Sequence, residues 1–222
     1  MATKKARKKI LETYVEWVAD EQRRPMSIRA FAKELEMEEK AFRAHFNSFE
    51  QIESAIYVHF FEKTLALIKK EAPETEAELI LSFYYTFFEH LSANRSYVEA
   101  IVHQGQPKFK HMKQLRDLKH HFSEFIEEND IYQNINLPEV IEKYREKGTR
   151  EAAWSQFMFI FAFWIKDDSP GFEKTDVLIE KSVHVGMEVT NSNLMGSVLD
   201  LGKFLSKKPC RHDERDRQNT HL

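Results

Sequence analysis

Two histidines and a glutamate in the middle of the sequence include a His-Glu pair whose spacing could bind a metal ion. His120 and His121 precede Glu124, so a histidine and a glutamate lie four residues apart and would share one face of a helix. Structural and catalytic zinc sites use three or four protein ligands, and no third ligand is evident here. A solvated polar face explains the group better, and we predict no bound metal.

The familiar catalytic signatures are absent from the sequence. It contains no glycine-rich phosphate loop, no Gly-x-Ser-x-Gly nucleophile elbow and no His-Glu-x-x-His zinc helix. The one cysteine, Cys210, can form neither an intramolecular disulfide nor a thiolate metal site, and it fits a reducing compartment. We therefore predict a protein that is not an enzyme and that has no cofactor.

The elements that carry these side chains are predicted to be helices. The 222 residues include only six Gly and six Pro, and apolar residues recur mostly at helical spacing, which predicts an all-α fold. The longest uncharged apolar stretch, residues 157–165, is about half of the roughly 20 residues needed to cross a bilayer. The N-terminus has no apolar signal region, so we expect a cytoplasmic protein without a membrane partner.

Three short helices are predicted in residues 1–48, which we call the head. The first covers residues 6–22, and its apolar stripe consists of Ile10, Tyr14, Trp17 and Val18. Ser27 is the predicted N-cap of the second helix, and the third covers residues 38–46. Two short helices joined by a tight turn behind a longer one have the plan of a helix-turn-helix, whose second short helix enters the major groove of DNA.

About six longer helices are predicted in residues 49–206, which we call the body. Three of them begin at capping-box signatures, namely Ser48 with Gln51, Thr75 with Glu78 and Ser96 with Glu99. Others are predicted over residues 108–128, between breaks at 137–138 and 148–149, over 152–165, and from Thr175 onward. The polar tail, residues 207–222, is predicted to be disordered.

Charge is distributed unevenly between the head and the rest of the chain. Residues 1–48 contain 11 Lys and Arg against 8 Asp and Glu, a net charge of +3, whereas the remainder has 22 against 28, a net charge of −6. The basic run over residues 4–9 fits contacts with phosphates, because such contacts release counterions from DNA. It fits equally a solvated start of a helix, and charge alone does not separate the two interpretations.

The segment from Ile28 to Ile52 resembles the head of the TetR family of transcriptional regulators. In that family an apolar-Ala pair opens the second helix and a His-Phe pair closes the third, as in the runs 28–32 and 45–46 here. Residues 168–183 are similar to the body of some family members. The resemblance implies a ligand-responsive, DNA-binding regulator, expected to be a repressor that a small apolar molecule releases from DNA.

Four residues depart from the family pattern. Glu36 stands where the turn usually has Gly, Glu38 and Glu39 stand where the third helix usually has Ser and Lys, and Arg43 replaces a common aromatic residue. Acidic side chains that face phosphates reduce affinity for DNA. The alternative hypothesis is therefore a helical dimer that retains the fold as a ligand-binding or protein-interaction module but has lost DNA binding.

The resemblance also implies partners, whereas the expected contact residues are chosen from the cationic and polar side chains of the head and from the aromatic, His and Met side chains of the body. The partners are a double-stranded DNA operator, a small apolar or aromatic effector and a second copy of the chain, which is expected to pair through the helices over residues 152–165 and 175–191. The expected DNA contacts are Lys4, Lys5, Ser27, Arg29, Lys40, Arg43 and His45. The expected effector contacts are Tyr84, Phe87, Phe88, His103, His121, Trp154 and Met158.

Overall fold

Nine α-helices and one 3-10 turn make up the secondary structure of the described part of the chain. The computed structural model describes residues 2–103, 113–132 and 145–191. The helices are α1 (Ala2–Glu21), α2 (Ile28–Glu34), α3 (Glu39–Arg43), α4 (Phe49–Glu71), α5 (Glu76–Ala93), α6 (Arg95–His103), α7 (Arg116–Glu128), α8 (Arg145–Trp164) and α9 (Glu173–Asn191), with the turn at Pro170–Phe172. These ranges contain no strand, which confirms the all-α prediction.

The head forms around the apolar stripe that the sequence predicts. Ile10, Tyr14 and Val18 of α1 are fully buried. Phe31 of α2 and Phe42 of α3 pack on this stripe and are also fully buried. Removing these side chains from water stabilises the head by about 1.5–3 kcal/mol for each large apolar group.

The turn between α2 and α3 contains a backbone conformation that suits glycine. Glu36 has φ of +54°, in the left-handed region. Its backbone N–H donates to Lys33 O at 3.0 Å and the N–H of Met37 donates to Ala32 O at 2.9 Å, so the turn closes α2 tightly. A side chain in this region costs about 1–2 kcal/mol relative to a right-handed conformation.

Replacing Glu36 with glycine is expected to stabilise the protein by about 0.5–1 kcal/mol, because the relief of strain exceeds the added entropy of the unfolded chain. Urea denaturation followed by circular dichroism measures the change. The matched control is Lys33→Gly within α2, which is expected to destabilise the protein by about 1 kcal/mol. Equal losses of stability in both variants would contradict the expectation.

Side-chain capping explains where α4 and α5 begin, but not where α6 begins. The Ser48 hydroxyl accepts a hydrogen bond from Gln51 N at 3.3 Å, and at Thr75 both halves of the capping box form with Glu78. The predicted capping box at Ser96 is wrong. The helix already begins at Arg95, because Asn94 O accepts the first hydrogen bond, from Val98 N at 3.1 Å, and Ser96 lies inside α6.

Several predicted helix bounds also differ from the structure. Helix α1 starts earlier than residue 6, and α3 is shorter than the predicted 38–46. The predicted break at 148–149 is wrong, because Gly148 lies inside α8, with no atom within 4 Å of a Cβ built there. The predicted break at 137–138, the start of the predicted helix 108–128 and the tail 207–222 lie outside the described residues.

The helices of the body pack around one aromatic core. Helix α4 packs on α5 and α7, α7 packs on α8, and α9 closes the bundle against α5 and α8. Helix α1 of the head packs against α6 and α4 of the body. These contacts of α1 attach the head to the body.

A buried carboxylate, Asp167, organises the connection between α8 and α9. Its Oδ1 accepts hydrogen bonds from the N–H and the hydroxyl of Ser169 at 2.9 and 2.6 Å. Its Oδ2 accepts from the N–H and the hydroxyl of Thr175 at 2.9 and 2.6 Å. Burial by itself raises the pKa of Asp167, but these four hydrogen bonds prevail and lower it from 3.8 to about 2.

Because hydrogen bonds lower the pKa of Asp167 in the folded state, its charged form stabilises the fold. We expect Asp167→Ala to reduce the free energy of unfolding by about 1–2 kcal/mol at pH 7, through loss of charge-assisted hydrogen bonds and a helix cap. The difference from wild type should persist above the unfolded pKa of 3.8 and shrink as the pH falls towards about 2.

Denaturation at pH 7, 4 and 2.5 tests this dependence on Asp167. Asp168→Ala is the control, because the Asp168 side chain is 91% exposed and pairs with Lys174 at 3.2 Å. A pH-independent loss in Asp167→Ala would show that the charge of this carboxylate does not contribute.

Candidate functional site

The exposed lysines at the start of α1 lie on the same side of the head as the end of α3. The Arg7 guanidinium carbon lies 4.7 Å from the centre of the Phe46 ring. Lys9 Nζ donates to Leu35 O at 3.3 Å. Lys4 and Lys5, two of the expected DNA contacts, lie one turn earlier on α1 and are exposed.

Helix α3 offers less positive charge than its sequence suggests. Arg43 donates from Nε and from its terminal nitrogen to Glu39 Oε1 at 2.9 and 2.8 Å, so this guanidinium is neutralised within the helix. Lys40 is exposed and has no acidic partner among the described residues. His45 follows α3 and is half-buried. Lys40 is therefore the most available cation of this helix.

Two further expected DNA contacts lie at the start of α2, one as its N-cap and one in its first turn. Ser27 Oγ accepts a hydrogen bond from Ala30 N at 3.1 Å, which confirms its predicted capping role. Its hydroxyl hydrogen is left free for an acceptor such as a phosphate. Arg29 lies two residues further on and is exposed.

A buried carboxylate that the sequence analysis did not single out, Glu53, connects the head to the body. It lies on α4 and is 0% exposed. Its Oε1 accepts from Tyr14 Oη of α1 at 2.8 Å, and its two oxygens accept from Arg24 at 2.7 and 2.6 Å. The Gln114 side chain, just before α7, also donates to Glu53. We call Tyr14, Arg24, Glu53 and Gln114 the junction cluster.

Two opposing effects act on the pKa of Glu53 in the junction cluster. Burial raises the pKa of the Glu53 carboxyl above its usual value, and the hydrogen bonds and charge of Arg24 offset this only in part. Arg24 also contacts Glu50 at 2.9 Å. One sequence signal could have revealed the cluster, because Glu53 interrupts the apolar face that Phe49, Ile56 and Phe60 form on α4.

The aromatic residues expected to contact an effector surround the ring of Phe157, which is fully buried. Ring centres lie 6.4 Å away for Tyr84, 5.4 Å for Phe87, 6.0 Å for Phe88 and 5.0 Å for Trp154. The structure therefore brings these four residues together, with an aromatic side chain filling the space among them. Met158 is half-buried at the edge of the core, and the side chain of His103 lies outside the described part of the chain.

Two open spaces border this core. A cleft of about 520 Å³ lies where α4 ends and α5 begins, and it is lined in part by His121, which stacks on Phe61 with 6.0 Å between ring centres. A smaller cavity of about 280 Å³, which we call the α5–α9 cavity, includes Phe88 in its lining. Tyr84, Phe87 and Trp154 line neither space.

The histidine and glutamate pair on α7 forms as the spacing predicts. Glu124 lies 3.3 Å from His120 Nε2 and 3.4 Å from His121 Nδ1. Within the described ranges, no group of three His, Cys, Asp or Glu side chains could hold a metal ion.

Helices α8 and α9 each expose large apolar side chains. Phe159 is 58% exposed, Phe163 37%, Val177 47% and Val185 56%. The exposed side chains of α8 between residues 152 and 163 carry no charge. We call Phe159, Phe163, Val177 and Val185 the α8–α9 surface.

A family match in the body identifies the family of the chain. A family model described as "Tetracyclin repressor-like, C-terminal domain" matches residues 79–205, which is more than half of the chain. The chain belongs to the tetracycline repressor-like (TetR) family. No curated protein and no solved structure matches it. The matched residues include most of the aromatic core and the α8–α9 surface. Separately, no helix in the described part of the chain has the length and apolar character needed to span a membrane.

Proposed function

We propose that this TetR-family chain is a cytoplasmic, homodimeric DNA-binding regulator, and specifically a repressor that a small molecule releases from its operator. The observation that carries the proposal is a helix-turn-helix head joined by a buried junction to a body of the tetracycline repressor-like type. Residues 1–48 are the proposed DNA-binding domain, and residues 49–206 are the proposed ligand-binding and dimerisation domain. No enzymatic activity is part of the proposal.

In the proposed complex, α3 enters the major groove and exposed cations around it contact phosphates. Lys4, Lys5 and Arg29 are exposed around the helix-turn-helix, and Ser27 can donate its free hydroxyl hydrogen. Lys40 and Arg43 come from α3, and His45 lies at its end. These side chains would position the protein on the duplex, because contacts with phosphates fix the register of a protein on DNA, whereas contacts with bases provide sequence specificity.

In the proposed dimer, the α8–α9 surface of one chain packs on the same surface of a second chain. A two-fold axis brings Phe159 and Phe163 of both chains into one apolar interface. Dimerisation would present two heads to two half-sites about one helical turn of DNA apart. Contact with both half-sites would make operator binding tighter and more specific.

In the proposed response, an effector bound to the body shifts the orientation of the heads. The junction cluster offers a physical route, because Glu53 holds α1 and the α1–α2 connection to α4 and to Gln114 before α7. A ligand can shift the heads only by its difference in affinity between the two arrangements. Phe88 and His121 border open spaces, whereas contact with Tyr84, Phe87 or Trp154 requires movement of the core.

The first experiment measures DNA binding by fluorescence anisotropy. Purified protein is titrated into the DNA upstream of its own gene and into scrambled DNA, at two salt concentrations. The proposal expects binding at least about a thousandfold tighter to the upstream DNA, with affinity that falls steeply with salt. Lys40→Ala should weaken binding, whereas Lys70→Ala, which removes an exposed cation from α4, should not.

Glu39→Gln is expected to strengthen DNA binding about tenfold and to increase the salt dependence by about one counterion, because it frees Arg43 for a phosphate and removes a negative charge. Anisotropy titrations over a salt series measure both quantities. The double variant Glu39→Gln with Arg43→Ala is the control and should lose the gain that depends on Arg43. An unchanged salt slope in Glu39→Gln would argue against a phosphate contact by Arg43.

A second function is favoured by the charge around α3. Glu36, Glu38 and Glu39 lie in the turn and at the start of this helix, and Arg43 is already paired. The alternative is a dimeric ligand-binding or protein-interaction module that has lost DNA binding. Weak, salt-insensitive binding that is equal for upstream and scrambled DNA would favour this alternative.

A further inference from the structure

The α5–α9 cavity combines aromatic rings with carboxylates and has no basic side chain in its lining. Its rings come from Tyr85, Phe88, Trp164 and Phe172, and its carboxylates are Glu89 and Asp176. We infer that this cavity is a binding site for a small organic cation, an ammonium group carried on apolar carbon. The inference rests on the proposed function in one respect, because it names the chemical class of a ligand for the body.

The rings at this end of the body already hold a cation of the protein itself. The Arg95 guanidinium carbon lies 4.4 Å from the centre of the Trp164 ring and 5.0 Å from that of Phe172. Aromatic faces attract cations through the ring quadrupole, most strongly at tryptophan. Trp164 and Phe172 thus already contact Arg95, and Tyr85, which is 38% exposed, adds a ring accessible from solvent.

The charge of Arg95 is already compensated and does not neutralise the cavity. Arg95 Nε donates to Glu99 Oε1 at 2.6 Å. Its two terminal nitrogens donate to Trp164 O at 2.8 Å and to Ile165 O at 2.9 Å, at the end of α8. These three acceptors fix the guanidinium behind the rings.

The carboxylates of the cavity lack a counterion in the described part of the chain. No Lys, Arg or His of the described residues lies within ion-pair distance of Glu89 or Asp176, and Lys174, on the same helix as Asp176, pairs with Asp168. Burial raises the pKa of Asp176, and the charges of Asp167 and Glu173 raise it further. Both carboxylates are exposed to solvent, so a cation that enters the cavity from solvent can lie beside them, between α5 and α9.

The size of the cavity limits the ligand. A volume of about 280 Å³ lies just below the range of roughly 300–1,000 Å³ that is typical of sites for drug-sized molecules. A trimethylammonium group on a short chain fits this space. The hydroxyl of Ser92, which accepts from Trp164 Nε1 at 3.0 Å, also lines it and can orient a polar end of such a ligand.

Calorimetric titration of the full-length protein with choline tests the inference. Its uncharged isostere, 3,3-dimethylbutan-1-ol, has the same shape without the charge. We expect saturable 1:1 binding of choline with a dissociation constant below about 1 mM, and binding of the alcohol at least about tenfold weaker. Undetectable choline binding, or equal binding of the two probes, would overturn the inference.

Four variants locate the bound cation. Asp176→Asn and Glu89→Gln retain shape but remove charge, and Tyr85→Leu retains apolar bulk but removes a ring face. Each should weaken choline binding by about threefold to tenfold. Glu128→Gln, which removes an exposed charge at the end of α7, should change it less than about twofold.

Thermal melts of the variants establish that each protein is folded before binding is compared. Loss of affinity in Glu128→Gln equal to that in Asp176→Asn would place the cation elsewhere and overturn the assignment. The titration contains no DNA, so failure of operator binding leaves this test intact, and failure of choline binding leaves the DNA-binding proposal intact.

Discussion

Replacing Glu53 with alanine is expected to reduce the free energy of unfolding by about 3–5 kcal/mol, because it leaves a largely buried cation without its partner. The Arg24 side chain is 20% exposed and donates twice to Glu53. Tyr14 and Gln114 would also lose an acceptor inside the protein. Urea denaturation at pH 7, followed by circular dichroism, measures the loss.

Two further variants separate the lost charge pair from a general effect of substitution on α4. Glu50→Ala removes the other carboxylate that contacts Arg24, but Glu50 is 44% exposed, so the loss should stay within about 1 kcal/mol. The double variant Glu53→Met with Arg24→Met should recover most of the loss, because apolar replacement of a whole buried pair is often neutral. If Glu53→Ala costs no more than Glu50→Ala, the junction cluster does not stabilise the attachment of the head.

Replacing Phe159 with arginine is expected to convert the proposed dimer into a monomer. Two-fold symmetry places two new guanidinium groups in the interface, one from each chain, and we expect the dimer dissociation constant to rise at least about a hundredfold. Sedimentation equilibrium should give twice the chain mass of 26.4 kDa for the wild type and the single mass for the variant. Operator affinity should fall together with dimerisation, because a monomer contacts one half-site.

Leu67→Arg is the matched control for the dimer prediction. Leu67 is a large apolar residue of α4 that is 41% exposed, but it lies outside the α8–α9 surface. Its replacement should leave the mass of the assembly unchanged. A wild-type protein that is monomeric at micromolar concentration, or a Phe159→Arg variant with the wild-type mass, would contradict the proposed interface.

Local sequence signals determined most of the helices in this protein. The stripe of Ile10, Tyr14 and Val18 predicted the buried face of α1, and Ser27, Ser48 and Thr75 predicted helix starts, because capping depends on residues only three positions apart. Local signals failed where the propensity of a single residue competed with the packing of a whole helix. Gly148 predicted a break but lies within α8, where packing of the helix outweighs the propensity of one glycine.

The sequence by itself determined the helical class, the helix-turn-helix plan and the family resemblance, because these depend on short-range spacing. Only the tertiary structure decided which side chains meet. Glu53 and Arg24 are 29 residues apart, Tyr84 and Trp154 share the Phe157 ring, and Glu89 faces a cavity with Asp176. Helix periodicity gives the buried face of each helix, but the neighbour of that face is set by how the whole bundle packs.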